Sequence, residues 1–332
     1  MNVTKPNISI IITVYNVEKF LVRCLDSIFS QQFSGSFEVI AVDDASVDNS
    51  LNILKEYQEK EARLIIVEHK FNKKVSIARE TGMKVSRGEY IMHIDSDDWL
   101  LSNALEKLYK KCIETDADVI VFNYIKENNF GIRTYVNSIN KELITTNKLQ
   151  VQKYFYSTPW NKIVKKKLTE NMICGEVGIN MTEDLLYATE ILLKAEKICL
   201  ITESCYVYFE NIESLTSNIK PVQLLEIQKI ILQQIKLITL KYDAPSPFIN
   251  NILSYLEKGI YLAISQSIFF INSENKQNND LINAFRLFPE MTDKRLNKLS
   301  MAMSNKYYSF FQVFLRFGIK PVLGIILRRI RK

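Results

Sequence analysis

The sequence predicts an α/β fold: a Rossmann-like, mainly parallel sheet with helices on both faces, followed by a helical C-terminal region. Three observations carry this. Short β-branched runs alternate with helical patterns between residues 8 and 124, and that alternation gives parallel strands joined by crossover helices. Polar residues follow three of the runs, at 13–15, 43–44 and 95–98, where sheets of this kind bind their ligands. Beyond Pro221 the pattern turns to long helical runs, 222–241, 247–272 and 279–303.

Residues 8–14 are a continuous β-branched run, suited to a strand buried on both faces. Phe20, Leu21, Cys24, Leu25 and Ile28 then share one face of a helix. Gly35 marks a turn, and 37–42 form a second strand ending at Asp43 and Asp44. Ser46 or Asp48 can cap the next helix, which aligns Leu51, Leu54 and Tyr57. Residues 64–67 are a third strand, 76–86 a helix stopped by Gly88, and Tyr90 opens a fourth strand. A helix over 103–114 and a fifth strand over 119–124 complete the alternation. Residues 126–147 are polar and read as loops or a small hairpin. Thr182 caps a helix carrying Leu185, Leu186, Ala188, Ile191 and Leu192, and 198–201 and 206–209 look like short strands.

The fourth strand runs into Asp95, Asp97 and Asp98. Carboxylates this crowded repel one another unless a cation or protons neutralise them, and a hard divalent ion shared with substrate phosphates is the usual solution. A solvated acidic turn before the next helix is the plainer alternative. Glu183 and Asp184 have the same double reading, since acidic residues in a first turn complement the helix dipole.

Composition narrows the field. Hydrophobic content of 47% and charged content of 24% are ordinary for a soluble globular chain. The five cysteines include no CxxC pair, which argues against a disulfide framework or a zinc ribbon and fits a reducing compartment. No secretory signal stands at the amino end, and neither GxGxxG nor GxxxxGK[ST] occurs, which disfavours a dinucleotide enzyme or P-loop NTPase. The net charge of +6 is uneven, with Arg328, Arg329, Arg331 and Lys332 closing the chain. Residues 307–332 mix apolar and basic side chains and read either as a helix in the membrane interface or as one docked on the protein.

Taken together these motifs resemble the family 2, GT-A-fold glycosyltransferases of bacteria. The likeness spans residues 8 to about 217: Thr13-Val14-Tyr15-Asn16, Val42-Asp43-Asp44 through Ser50, Asn72 through Ala78-Arg79 to Gly82, Asp95-Ser96-Asp97-Asp98, Trp160-Asn161-Lys162 and Glu183-Asp184. The resemblance implies that Asp43 meets the nucleotide base, uracil being expected, with Thr13 and Tyr15 lining the same pocket. It places Asn72 and Arg79 near the nucleotide and diphosphate, with Ser214 as a diphosphate contact. Asp95, Asp97 and Asp98 would hold Mg²⁺ or Mn²⁺, and Asp184 would be the general base, oriented by Glu183.

The implied activity is inverting transfer of a hexosyl or N-acetylhexosaminyl group from a UDP-sugar to a glycan or lipid-linked acceptor, in synthesis of bacterial surface polysaccharide. No nucleic-acid partner is expected. The implied location is the cytoplasm, peripherally on the inner face of the membrane. Residues 1–125 would be the nucleotide-sugar half, 126–220 the acceptor and base half, and 221–332 the helical region with its basic tail. Two departures stand out: Lys73 and Lys74 occupy a place where the family usually has glycine, and an arginine common before Ser214 is missing, with Tyr208, Phe209 and Glu210 in its region. Lys73, Lys74 and Lys162 are the candidates to replace it. A non-catalytic membrane-associated scaffold and a phosphatase of the haloacid dehalogenase type are the rival readings.

Overall fold

A computed structural model of the chain describes residues 5–155, 158–173, 183–211, 221–266 and 276–304. The chain divides into two compact units, Met1–Ser214 and Leu215–Lys332. The first opens in the predicted order: β1 (Ile8–Val14), α1 (Glu18–Phe29), β2 (Phe37–Asp43), α2 (Ser50–Lys60), β3 (Leu64–Glu68), α3 (Val75–Val85) and β4 (Tyr90–Asp95). It continues with β5 (Trp99–Leu100), α4 (Ala104–Thr115), β6 (Val119–Asn128), β7 (Arg133–Val136), β8 (Leu143–Thr145), the short α5 (Lys148–Val151), β9 (Lys162–Lys165), α6 (Glu183–Lys194) and β10 (Ile198–Glu210).

Among the described residues the strands form one sheet in the order β3-β2-β1-β4-β9-β6-β10-β5, with β7 against β6 and β8 against β10. The first four are parallel, as expected. Past β4 the expectation of neighbouring parallel strands fails, because β9 inserts antiparallel to both β4 and β6. The two short strands expected over 198–209 are one long strand, β10, whose register against β6 shifts between Leu200 and Tyr206. The polar 126–147 segment does contain a hairpin, β6 with β7.

The core follows from the period of the strands. Ile8, Ile10, Ile12 and Val14 of β1 share one cluster with Leu21, Cys24, Leu25 and Ile28 of α1 and Leu105, Leu108 and Cys112 of α4. The other face takes α3. Gly82 makes this possible, since a Cβ there would lie 2.4 Å from Cγ2 of Ile11 and 3.4 Å from Cγ2 of Val42. Strand register then lines up the polar ends: Val14 pairs with Asp43, and Thr13 with Asp95. Cys24, Cys112, Cys199 and Cys205 are free and buried, whereas Cys174 lies outside the described residues.

The second unit contains α7 (Pro221–Lys241), α8 (Ser246–Gln266), α9 (Lys276–Phe285) and α10 (Asp293–Ser304). The predicted run 279–303 is therefore two helices, broken in the stretch that holds Pro289. Lys229 pairs with Asp280 at 3.0 Å and Arg295 with the buried Glu257 at 2.9 Å. Among the described residues no helix is long and apolar enough to cross a membrane. The 307–332 tail lies outside them.

Substituting Gly82→Val should force α3 off the sheet and lower stability by roughly 1–3 kcal/mol. Chemical denaturation with unchanged m-value checks this; an unaffected midpoint would show that Ile11 yields freely.

Candidate active site

Arg79 lies one turn into α3 and is 7% exposed. Its Nη1 donates to Oε1 of Glu183 at 2.8 Å and to Oδ1 of Asp184 at 2.6 Å, and its Nη2 donates to Oδ1 of Asp95 at 2.9 Å. One guanidinium thus ties the end of β4 to the first turn of α6. Burial alone would depress the guanidinium, but Asp184, Asp95 and Glu183, in that order, hold its pKa above the ordinary value. In the ligand-free chain the Nη1 and Nη2 donors of Arg79, expected near the nucleotide and diphosphate, meet carboxylates. Glu183 is pushed up to about 8, first by burial and then by the charge of Asp184 to which it is hydrogen-bonded, with Arg79 opposing. Burial also raises Asp95, with Arg79 pulling down and Asp184 pushing up. The pair at 183–184 is therefore more than a complement to a helix dipole.

The acidic turn separates its three carboxylates. Asp98 is 1% exposed, and it accepts the Tyr206 hydroxyl on Oδ2 at 2.7 Å and the Phe209 backbone N–H on Oδ1 at 2.8 Å. The Tyr206 oxygen in turn accepts the backbone N–H of Asp95 at 3.1 Å. Both oxygens of Asp98 anchor the turn to β10. Arg23 of α1 donates to the carbonyl of Asp97 at 3.0 Å while its guanidinium sits 3.7 Å from the Trp99 ring centre and 4.5 Å from that of Phe209. The Asp97 carboxyl makes no ion pair among the described residues and is pushed up to about 6, by burial and then by Asp95. No group of three or more His, Cys, Asp or Glu side chains is arranged to hold a metal among the described residues; Asp95 and Asp97 are a two-carboxylate pair.

The nucleotide end lies two strands away. Asp43 is 2% exposed; its Oδ2 accepts the Ser46 N–H at 3.2 Å, while its Oδ1 is buried without a hydrogen-bond partner among the described residues. Thr13 is half-buried beside it and Tyr15 is exposed. Asp44 does structural work next door, accepting His69 Nδ1 at 2.7 Å and the backbone N–H groups of Lys73 and Lys74 at 2.8 and 2.9 Å. The Lys74 N–H also donates to Oδ1 of Asn72 at 3.1 Å. Lys74 has φ 77° and ψ 158°, a region held by glycine almost alone and costing another residue about 1–3 kcal/mol. The backbone here is the one a glycine would adopt, and the Asp44 carboxylate holds lysine in it.

Of the other expected residues, Ser214 lies outside the described residues, and Lys162 is 1% exposed, which removes it as a diphosphate contact. His93 is buried, edge-on to Tyr187 at 5.1 Å, with both ring nitrogens unpartnered among the described residues. Sequence reasoning missed Tyr206, Arg23 and Asp44 as organisers of the site. The only sequence signal was the Tyr206-Val207-Tyr208-Phe209 alternation at a strand end.

A largely parallel sheet covered by helices, with carboxylates gathered at its strand ends, is an α/β domain of the GT-A kind. Comparison with known proteins agrees: the model for glycosyl transferase family 2 matches residues 9–186, and the chain belongs to that family. Glycosyltransferase GlyA of Streptococcus pneumoniae is 33% identical over 217 residues, 60% of this chain and 30% of GlyA. Glycosyltransferase EpsJ of Bacillus subtilis is 31% identical over 221 residues, 64% of this chain and 63% of EpsJ. The chain thus spans between about a third and two thirds of these relatives. The crystal structure of residues 1–349 of Staphylococcus aureus TarS superposes with a TM-score of 0.64 at 19% identity, over 96% of this chain and 92% of that one, a likeness of fold.

Because Glu183 holds its proton up to about 8 in the folded chain and an ordinary glutamate ionises near 4.3, the native state binds more protons than the unfolded one between those values. Stability from this group should be full below the lower value and fall as pH rises toward the upper. Glu183→Gln, which mimics the protonated acid, should melt like the wild type near pH 4, below the unfolded-state value, and higher than it at pH 9. Parallel melting curves at both pH values would show that Glu183 is ionised throughout.

Proposed function

We propose that the chain is an inverting, metal-dependent glycosyltransferase that moves a sugar from a UDP-sugar to a hydroxyl of a glycan or lipid-linked acceptor of the bacterial surface. The observation that supports it best is the convergence at one sheet edge of the unpaired Asp43 oxygen, the Asp95 and Asp97 pair, and Asp184 bound to Arg79. Asp43 would accept the uracil N–H that its free oxygen lacks, with Thr13 and Tyr15 beside the base. TarS has been crystallised with UDP-GlcNAc, and another relative is a poly(ribitol-phosphate) beta-glucosyltransferase of Bacillus spizizenii; both favour a nucleotide-sugar donor and a surface-polymer acceptor. Family membership leaves no room for the phosphatase reading.

Asp184 would accept the proton of the acceptor hydroxyl as that oxygen bonds to C1 of the sugar, while the bond from C1 to the β-phosphate oxygen breaks and its electron pair leaves with UDP. Glu183, protonated and hydrogen-bonded to Asp184, is a poor nucleophile, so a single displacement with inversion follows. The donor set fits a Mg²⁺ or Mn²⁺ ion: Asp97 makes no ion pair among the described residues, and burial and then the charge of Asp95 raise its pKa, a strain that a cation would relieve. Asp95 and Asp97 would hold the ion, with diphosphate oxygens completing its shell; when bound it would stabilise charge on the leaving group. Lys73 and Lys74, whose backbone N–H groups bond to Asp44 beside Asp43, are the candidates for a diphosphate cation.

Asp184→Asn should leave UDP binding in the presence of Mn²⁺ within about twofold while transfer falls by ~10²-fold or more. Asp43→Ala should instead abolish UDP binding in calorimetry. Full activity in the first variant sinks the base, and unchanged UDP affinity in the second sinks the uracil contact. Attachment to the membrane surface through 307–332 belongs to the same proposal: the full chain should float with anionic vesicles and a 1–306 chain should not, equal flotation counting against the tail.

A further inference from the structure

Arg23 takes no part in the proposed chemistry, and its partners are unusual for a cation beside an acidic turn. Its Nη2 donates to the main-chain carbonyl of Asp97 at 3.0 Å, and it forms no ion pair with any carboxylate among the described residues. The guanidinium lies against two rings, 3.7 Å from the centre of Trp99 and 4.5 Å from that of Phe209. Its Nε is buried without a hydrogen-bond partner among the described residues. Attraction to the rings favours this place and the unpaired Nε counts against it, effects of comparable size. Arg23 is therefore not held there chiefly for stability. What the place secures is direction, since the rings fix the planar fork and one of its N–H groups reaches a peptide.

That bond is the first of a row from α1 to the stretch 95–105. Cys24 Sγ donates to the carbonyl of Asp95 at 3.8 Å, and Ser27 Oγ accepts the Leu100 N–H at 3.1 Å. Gln31 donates to the carbonyl of Leu101 at 2.9 Å and accepts the Leu105 N–H at 3.3 Å. Residues 23, 24, 27 and 31 share one face of a helix, so α1 is a straight edge along which the acidic turn and β5 are laid. The turn is closed by the Asp98 N–H on the carbonyl of Asp95 at 3.0 Å. Its main chain is then gripped from two sides, by Arg23 at the Asp97 carbonyl and by β10 through the Asp98 carboxyl. The Asp97 carboxyl enters neither grip.

We propose that Arg23 is a positioning residue for the divalent ion: it fixes the turn that carries Asp95 and Asp97 by bonding the Asp97 peptide, and so leaves the Asp97 carboxyl to the ion. A guanidinium paired with that carboxyl would steady the turn as firmly, but an incoming cation would have to displace it. Groups that orient a metal's ligands typically change its affinity by about 10–100-fold, so the effect falls on the ion and not on the base pocket. This rests on Asp95 and Asp97 as the metal ligands.

The test is Mn²⁺ affinity, read from the electron paramagnetic resonance signal of free Mn²⁺ as the full chain is titrated at saturating UDP. Arg23→Met keeps an apolar chain against the rings and removes the fork. Its Kd for Mn²⁺ should rise about tenfold or more, while UDP affinity in EDTA and the melting temperature stay near wild type. Arg23→Lys keeps a charge and a donor but not the plane, and should raise the Kd about threefold or more. Ser27→Ala removes a bond of the same row that ends on β5, and should keep the wild-type Kd for Mn²⁺ whatever it does to melting. A Kd within about twofold of wild type in Arg23→Met overturns the proposal; if that variant does not fold, the same result in Arg23→Lys does so. An equal loss of UDP affinity with and without metal also overturns it, since Arg23 would then meet the nucleotide itself. So does a matching loss of Mn²⁺ affinity in Ser27→Ala, which would mean that α1 only supports the fold. If the wild type with UDP binds no Mn²⁺, the metal reading fails first; if it does and Arg23→Met binds as tightly, only this inference fails.

Discussion

One guanidinium holds the site together. Arg79 reaches from α3 to Asp95 at the end of β4 and to Glu183 and Asp184 at the start of α6, segments far apart in sequence that no strand pairing joins directly. Removing a partner from a buried ion cluster typically costs about 3–5 kcal/mol, far more than a surface pair contributes. The cluster is therefore a constraint and not an ornament: α3 must lie close enough for Arg79 to reach, which Gly82 permits, and α6 must present its first turn to the sheet edge. The same constraint sets the proton inventory, because three carboxylates around one cation leave Glu183 protonated at neutral pH.

A second buried carboxylate organises the other end. Asp44 has no role in the proposed chemistry, yet through His69 and the N–H groups of Lys73 and Lys74 it shapes the loop beside Asp43. Adjacent residues thus divide the work, one oxygen of Asp43 staying unpaired while Asp44 is saturated. The acidic turn repeats this division, with Asp98 saturated by Tyr206 and Phe209 and Asp97 without an ion pair. In both places a carboxylate fixed by hydrogen bonds stands beside one that has fewer partners among the described residues.

The first four strands and their helices were legible because a parallel strand buried on both faces needs a continuous apolar run, and Ile8–Val14 or Phe37–Asp43 can hardly be anything else. The insertion of β9 was not, since Lys162–Lys165 holds only two apolar residues between lysines and its place is set by β4 and β6, not by its own pattern. The break within 279–303 was foreshadowed by Pro289 but hidden by good helical periodicity on both sides. At the candidate site, residue types pointed to one edge of the sheet, because carboxylates at strand ends are visible in a string of letters. Which of Asp95, Asp97 and Asp98 faces outward was not visible, because it depends on Tyr206 more than a hundred residues later. The carboxylate partners of Arg79 were hidden for the same reason: a cation in a sequence does not show which anions surround it.

The antiparallel β9 has a consequence for how the molecule is made. Because it lies between β4 and β6, the sheet is not continuous until residue 165 has been synthesised, and Arg79 has only Asp95 as a partner until α6 arrives. Chain order during translation therefore lets the first four strands condense first from local crossovers, while the long-range pairings come last. An elongating chain halted before α6 would carry Asp43 and Asp95 at the sheet edge without Asp184.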